Sequence, residues 1–185
     1  EGYEADDVIG TAVRIFSGKK DIEIIIVTGD MDAVQLVGSR VKVYAMKKGI
    51  SDTVIYDEAL VKERFGFSPR QMIDFKALRG DPSDNIPGVK GIGEKTARDL
   101  IELFGSVEEI YRQLKKGTKK ISGSVAARLK EGEEDALMSK ELATIHTGVP
   151  VECVLEATVV RPPDKELITR TFAELGFSSL LKRLD

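Results

Sequence analysis

Three groups of residues in this sequence combine type and spacing in ways that chemistry could use. In Gly80-Asp81-Pro82-Ser83-Asp84-Asn85, two carboxylates lie three residues apart. Pro82 removes a backbone donor and Gly80 loosens the chain, so the segment reads as a loop rather than regular helix. Thr28-Gly29-Asp30-Met31-Asp32 places two more acids directly after an apolar run, and Glu4, Asp6 and Asp7 form a third acidic group. Hard divalent ions prefer such oxygen ligands, and two ions about 4 Å apart activate water and relieve charge on a phosphodiester. Taken alone, Asp-x-x-Asp is more often a turn or a cap than a metal site. Glu4, Asp6 and Asp7 could equally serve as N-terminal caps, Asp7 above all. The metal reading therefore requires Glu4, Asp6, Asp30, Asp32, Asp81 and Asp84 to converge in one basin.

Immediately after the carboxylate loop comes Gly88-Val89-Lys90-Gly91-Ile92-Gly93, a glycine hairpin opening a helix near Glu94. Glycines allow a phosphate backbone to approach closely, and the helix N-terminus beyond them offers free N–H donors. This is the helix-hairpin-helix pattern, which grips phosphates without reading bases. Acids suited to metal thus adjoin a surface suited to nucleic-acid backbone, the adjacency a nuclease needs.

The surrounding elements have to position these groups. Ala5, Val8, Ile9, Ala12, Val13 and Phe16 recur at helical spacing, predicting a helix from Glu4 to Phe16. Ile22 to Val27 is a nearly unbroken apolar run, expected to be a parallel-sheet strand buried on both faces. Asp30 and Asp32 follow its carboxyl end, where open α/β sheets bind ligands. Val34, Leu36 and Val37 suggest a short helix; Val41–Tyr44 and Asp52–Tyr56 are further strand candidates. Helices are expected over Asp57–Phe65, ended by Gly66, and over Arg70–Leu78 behind the Ser68-Pro69 start signal. The apolar positions of the latter are Met72, Ile73, Phe75, Ala77 and Leu78. Further helices are expected over Glu94–Phe104, Val107–Leu114 behind a Ser106 cap, Ser124–Ile145 as one or two segments, Asp164–Leu175 and Ser178–Leu184. Val151–Leu155 looks strand-like, and Lys115–Lys120 reads as a solvated basic loop with a secondary phosphate contact as the sharper option.

Composition sets outer bounds. With 185 residues, 42% hydrophobic and 32% charged, the chain can build one globular core with a smaller appended lobe. The net charge of −3 does not announce a nucleic-acid partner, but local acidic clusters offset basic residues elsewhere, and distribution is the better guide. A single cysteine, Cys153, excludes an intrachain disulfide and fits a reducing cytoplasm; its apolar setting predicts a buried structural thiol. No run approaches the ~18 apolar residues of a membrane span. His146 is expected to be structural.

The motif G-D-P-S-D-N-I-P-G-V-K-G-I-G-E-K-T-A resembles the 5′-nuclease domain of bacterial DNA polymerase I and its relatives, the 5′–3′ exonucleases and flap endonucleases. Glu1-Gly2-Tyr3-Glu4-Ala5-Asp6-Asp7, Val27-Thr28-Gly29-Asp30-Met31-Asp32, Ser139-Lys140-Glu141-Leu142-Ala143-Thr144 and Leu175–Leu181 fit the same family in its order. The resemblance implies a PIN-like α/β fold, a mostly parallel sheet flanked by helices, followed by an all-helical helix-hairpin-helix lobe. It divides the chain into residues 1–78 of the nuclease core, a DNA-binding lobe over 79–150 and a closing strand and helices over 151–185. It implies two Mg2+ or Mn2+ ions. Glu4 and Asp6, with Asp7 less surely, match ligands of the first; Asp30, Asp32, Asp81 and Asp84 match the second group, some acting through water. Main-chain carbonyls near Gly88, Val89 and Ile92 are implied to hold a monovalent cation such as K+. Lys90, Lys95 and Arg98, with Gly91, Gly93 and Thr96, are implied to face DNA carrying 5′ ends or flaps. A polymerase domain in the same polypeptide is a further implied partner.

Two departures stand out. Met31 replaces the lysine many relatives carry between the two aspartates. The family's first strand with its aspartate, the next metal-binding aspartate and the basic helical arch all precede the position matching Glu1. On that basis a protein beginning at Glu1 is expected not to be a competent nuclease by itself, its first apolar strand lacking a neighbour. Other readings are a non-catalytic helix-hairpin-helix DNA-binding module, which leaves the acids unexplained, and a PIN-type nuclease cutting RNA. A phosphatase with Asp30 as nucleophile would normally add a lysine and has no use for the hairpin.

Overall fold

The computed structural model describes residues 2–46 and 53–183. Glu1, Asp52 and Leu184 lie outside the described residues. Two compact units emerge, Glu1–Val151 and Glu152–Asp185. The first contains helix α1 (Ala5–Ser17), strands β1 (Ile24–Thr28), β2 (Val41–Met46) and β3 (Thr53–Tyr56), and helices α2 (Glu58–Phe65), α3 (Met72–Arg79), α4 (Glu94–Phe104), α5 (Val107–Lys115), α6 (Gly123–Glu131) and α7 (Glu133–Ala143). Short 3-10 turns over Asp32–Leu36 and Pro69–Gln71 join them.

The sheet runs β1-β2-β3. β1 and β2 are parallel, with Ile26 opposite Val43, while β3 returns antiparallel, with Tyr56 opposite Val43. The parallel pairing expected for the apolar run is present, and the described sheet as a whole is mixed. Burial on both faces is not: Ile26 is 6% exposed, but Ile25 and Val27 are 53% and 63% exposed. α1 packs against β1, and among the described residues nothing covers the face carrying Ile25 and Val27 to the same degree. Successive residues of a strand point to opposite faces, so one helix layer buries only every second side chain.

A single buried cluster links the sheet to the helices, from Val34, Val43 and Tyr56 through Leu78 and Ile101 to Ile110, Leu129 and Ala136. α3 is its centre and packs against α4, α5 and α7. Its caps are local. Asp57 Oδ1 accepts from the Leu60 N–H at 2.8 Å to start α2, and Ser106 Oγ accepts from the Glu109 N–H at 3.3 Å to start α5.

Residues 151–154 form no strand; the second unit holds a 3-10 turn over Leu155–Thr158, then α8 (Lys165–Glu174) and α9 (Ser178–Leu181). The expected closing strand fails because an apolar run makes a strand only with a partner to complete its hydrogen bonds, and none is recorded for this segment among the described residues. Asp164 Oδ1 caps α8 through the Leu167 N–H at 3.0 Å. Cys153 is half-buried, not buried as its apolar neighbours suggested.

Candidate metal centre and hairpin

The carboxylate loop is closed by a reciprocal backbone bridge: the Asp81 N–H donates to the Ile86 carbonyl and the Ile86 N–H to the Asp81 carbonyl, both at 2.9 Å. Asp81 Oδ1 accepts from the Ser83 N–H at 3.0 Å and from Ser83 Oγ at 2.5 Å, which fixes the rotamer of Asp81. The loop is held to the hairpin by its glycines. Gly80 (φ +79°) and Gly88 (φ +62°) pack backbone to backbone; a Cβ on Gly88 would lie 2.2 Å from the Gly80 nitrogen. No side chain can stand between acid loop and hairpin at this contact.

After β1, the Asp30 N–H donates to Thr28 Oγ1 and the Asp32 N–H to Asp30 Oδ1, each at 2.9 Å. This staircase turns the Asp32 carboxylate toward the loop. Asp32, Asp81 and Asp84 each present an oxygen within 4.8 Å of the others. Into this cluster projects Lys76 of α3, whose side chain is only 7% exposed. Its Nζ pairs with Asp32, lies 2.6 Å from Asp81 Oδ2 and 3.8 Å from Asp84 Oδ2. Burial disfavours the Lys76 ammonium, but the carboxylates of Asp32 and Asp81 outweigh that and hold its pKa above the ordinary value. Burial likewise pushes Asp32 up; Asp30 and Asp84 add to the rise, and Lys76 only partly opposes it. For Asp81, burial is outweighed by the hydrogen bonds from Lys76 and Ser83, and the carboxyl is held below its usual range. Lys76 is the residue that sequence reasoning missed. The signal was there: a lysine in the middle of the apolar helix segment Phe75-Lys76-Ala77-Leu78.

Asp6 is joined to the cluster electrostatically. Burial raises its pKa, and Asp30, Glu4, Asp7 and Asp84 raise it further. Asp32 lines both the cleft shared with Asp30, Asp81 and Asp84 and the cleft shared with Glu4, Asp6 and Asp7. Asp7 is otherwise occupied: Oδ2 accepts from the Glu4 N–H at 3.1 Å and Oδ1 from the His146 N–H at 2.8 Å. It caps α1 and anchors the segment after α7. His146 lies just beyond that helix, with its ring stacked on Tyr3 at 5.8 Å.

The hairpin is supported from below. The Gly88 N–H donates to Ser139 Oγ at 2.9 Å, the Val89 N–H to the Leu78 carbonyl at 2.8 Å, and the Ile92 N–H to the Val89 carbonyl at 3.0 Å. The Gly91 carbonyl accepts from Arg128 Nη1 at 2.8 Å. Lys90, Gly91, Gly93 and Lys95 are exposed, and Thr96 is half-buried. Arg98 is also half-buried: Nη2 donates to Glu94 Oε1 at 3.0 Å, and its Nε is buried without a partner. Next to Ser139, Lys140 donates to Asp74 Oδ1 at 2.6 Å and to both Glu108 oxygens at 2.7 Å. The Ser139-Lys140 pair thus sets the hairpin and the α3–α5–α7 packing together.

Comparison with known proteins identifies the family and the fold. Residues 1–66 match the family described as 5'-3' exonuclease, N-terminal resolvase-like domain, and residues 67–166 match 5'-3' exonuclease, C-terminal SAM fold. The chain is 43% identical over its whole length to DNA polymerase I of Bacillus subtilis and 44% identical to that of Caldicellulosiruptor bescii. It spans 20% and 21% of the length of those relatives. A T5 5'-exonuclease structure with bound divalent metal ions (zinc) superposes with a TM-score of 0.67 at 28% identity, covering 80% of this chain and 52% of that one. The catalytic core of Rad2 in complex with DNA substrate shares the fold at 19% identity, with a TM-score of 0.60 over 98% of this chain and 62% of that one. An α/β unit followed by a helix-hairpin-helix, each matched by a family model, places this chain in the 5′–3′ exonuclease family.

Proposed function

We propose that this chain is a structure-directed DNA nuclease that hydrolyses phosphodiesters at 5′ ends and flaps, working as the 5′-nuclease part of a DNA polymerase I in replication and repair. The observation that carries the reading is the convergence within 4.8 Å of Asp32, from the turn after β1, with Asp81 and Asp84, from the loop that packs on the hairpin through Gly80 and Gly88. The donor set fits a hard divalent ion: it is all carboxylate oxygen, and a buried ammonium already sits against it as a stand-in cation. Zinc would favour nitrogen or sulfur ligands, so Mg2+ or Mn2+ is the better match. Asp32, Asp81 and Asp84, with Asp30, would hold one ion, and Glu4 and Asp6 a second. Bound ions would supply an activated water and neutralise charge developing on the phosphate.

The chain's own residues do the rest. Ser83 fixes the rotamer of Asp81, Thr28 and Asp30 orient Asp32, and Asp7 holds the start of α1 so that Asp6 faces Asp30 and Asp84. The first-turn N–H groups of α4 and the exposed Lys90 and Lys95, with Gly91, Gly93, Thr96 and Arg98, would bind phosphates of the duplex. Carbonyls of Gly88, Val89 and Ile92 are the proposed K+ ligands. A following polymerase domain and a cytoplasmic setting belong to the same reading.

The test is Mg2+-dependent cleavage of a 5′-flapped duplex, beside a 3′-flapped control, by the full nuclease domain. Asp81→Asn with Asp84→Asn should abolish cleavage and leave DNA binding equal or tighter, since lost acid repels phosphate less. Cleavage by the double variant near the parent rate would refute the assignment.

A further inference from the structure

The group most in need of explanation is Lys76. A lysine is rarely buried to this degree unless paired, and this one is paired three times over, with acids assigned above to metal binding. Asp32, Asp81 and Asp84 come from two different segments, the turn after β1 and the loop after α3. Three carboxylates brought so close repel one another, and among the described residues Lys76 is the cation paired with all of them. The side chain reaches them from α3, a helix enclosed by α4, α5 and α7, so the ammonium arrives from the protein interior. Nζ is an oxygen-seeking cation with up to three donors, and it takes its contacts from the same oxygens a divalent ion would use.

Resting on the metal reading above, we propose that Lys76 is a built-in counter-ion of the cluster. It holds Asp32, Asp81 and Asp84 together while no metal is bound, and it competes with the incoming divalent ion for their oxygens. The cluster is therefore preassembled at the expense of affinity. A site of this kind exchanges its ion readily and is filled in step with the ion supply, with no large rearrangement of its acids. Lys76 is a positioning residue: it acts on substrate only through the carboxylates it holds.

The competition predicts a sign that a purely structural lysine would not. Binding of Mn2+ alone, without DNA, is measured at fixed pH and ionic strength through the paramagnetic resonance signal of free Mn2+. The parent, Lys76→Met, Lys76→Gln and the Asp81→Asn/Asp84→Asn double variant are compared. Lys76→Met and Lys76→Gln should bind Mn2+ at least about tenfold more tightly than the parent, the scale of one charge-assisted hydrogen bond removed from competition. Their melting temperature without metal should fall, and its rise on adding Mn2+ should exceed the parent's. Should Lys76→Met not fold without metal, recovery of its fold by Mn2+ below the parent's dissociation constant supports the inference, and failure to recover contradicts it. Equal or weaker Mn2+ binding by both folded variants overturns the counter-ion role while leaving the metal site standing. Parent binding that is unchanged in the Asp81/Asp84 double variant would instead overturn the metal reading itself.

Discussion

Gly88→Ala tests whether acid loop and hairpin form one unit. The Cβ would stand 2.2 Å from the Gly80 nitrogen and 2.6 Å from both Gly80 Cα and the Arg79 carbonyl carbon. All three are backbone atoms, so no rotamer change can make room. The residue would also be held at φ +62°, which costs a non-glycine roughly 1–2 kcal/mol. Backbone displacement at such a contact adds a comparable amount, as overpacking does in cores, giving a loss of about 3 kcal/mol or more. For a domain of this size that lowers the melting temperature by roughly 6–12 °C. Gly18→Ala is the control, because nothing lies within 4 Å of its Cβ position and its φ is −71°; the exchange should cost under about 1 kcal/mol. Thermal and urea unfolding of both variants, with Mn2+ and DNA binding measured alongside, decides the matter. Gly88→Ala should impair metal and DNA binding together. A loss below about 1 kcal/mol, or damage to one binding function alone, would refute the claim that the two segments are rigidly joined.

Other outcomes follow from the same geometry. Lys140→Met leaves Asp74, with a side chain 10% exposed, holding the Val107 N–H alone among the described residues; a loss of about 3 kcal/mol in urea unfolding is expected, and a loss under about 1 kcal/mol would show the pair to be dispensable. Lys95→Ala should weaken DNA binding equally for all base sequences and lower the salt slope by about one unit; a sequence-dependent loss would mean base reading. Asp6→Asn should stabilise the metal-free protein at neutral pH. The folded-state pKa of Asp6 is raised above its ordinary 3.8, so its charged form is penalised in the fold above that folded pKa, and the penalty vanishes as pH falls below 3.8. Melting curves in chelator across that range should converge at low pH; a gap that widens on acidification would contradict the burial and crowding assigned to Asp6.

Much of this was legible because it is written in local chemistry. The helix over Glu94–Phe104 is bounded as read, by Gly93 before it and Gly105 after it, and Ser106 caps the helix it was expected to cap; Asp57 and Asp164, read as first residues of their helices, are the caps one position before them. The carboxylate loop announced itself through Gly80 and Pro82. What stayed hidden depends on partners distant in the chain. Asp74 and Lys76 lie inside an apolar helical stretch, and nothing local tells a charged residue facing solvent from one facing its counter-charge; Lys140 and Asp32 decide it. Asp7 was balanced between cap and ligand, and the His146 N–H, far along the chain, occupies its second oxygen. The apolar run at 151–155 had strand composition without a strand to pair with. For Ile25 and Val27, sequence gives the alternation of faces but not which layers cover them.

The proposed chemistry requires Asp32, Asp81 and Asp84 to share an ion. A crystal of this protein soaked in Mn2+ answers this through anomalous scattering at the manganese edge. The prediction is a peak bonded to carboxylate oxygens of all three residues at about 2.1–2.2 Å, with Lys76 Nζ displaced from Asp32 and Asp81. A peak held elsewhere, or saturating Mn2+ with these carboxylates still paired to Lys76, would contradict it.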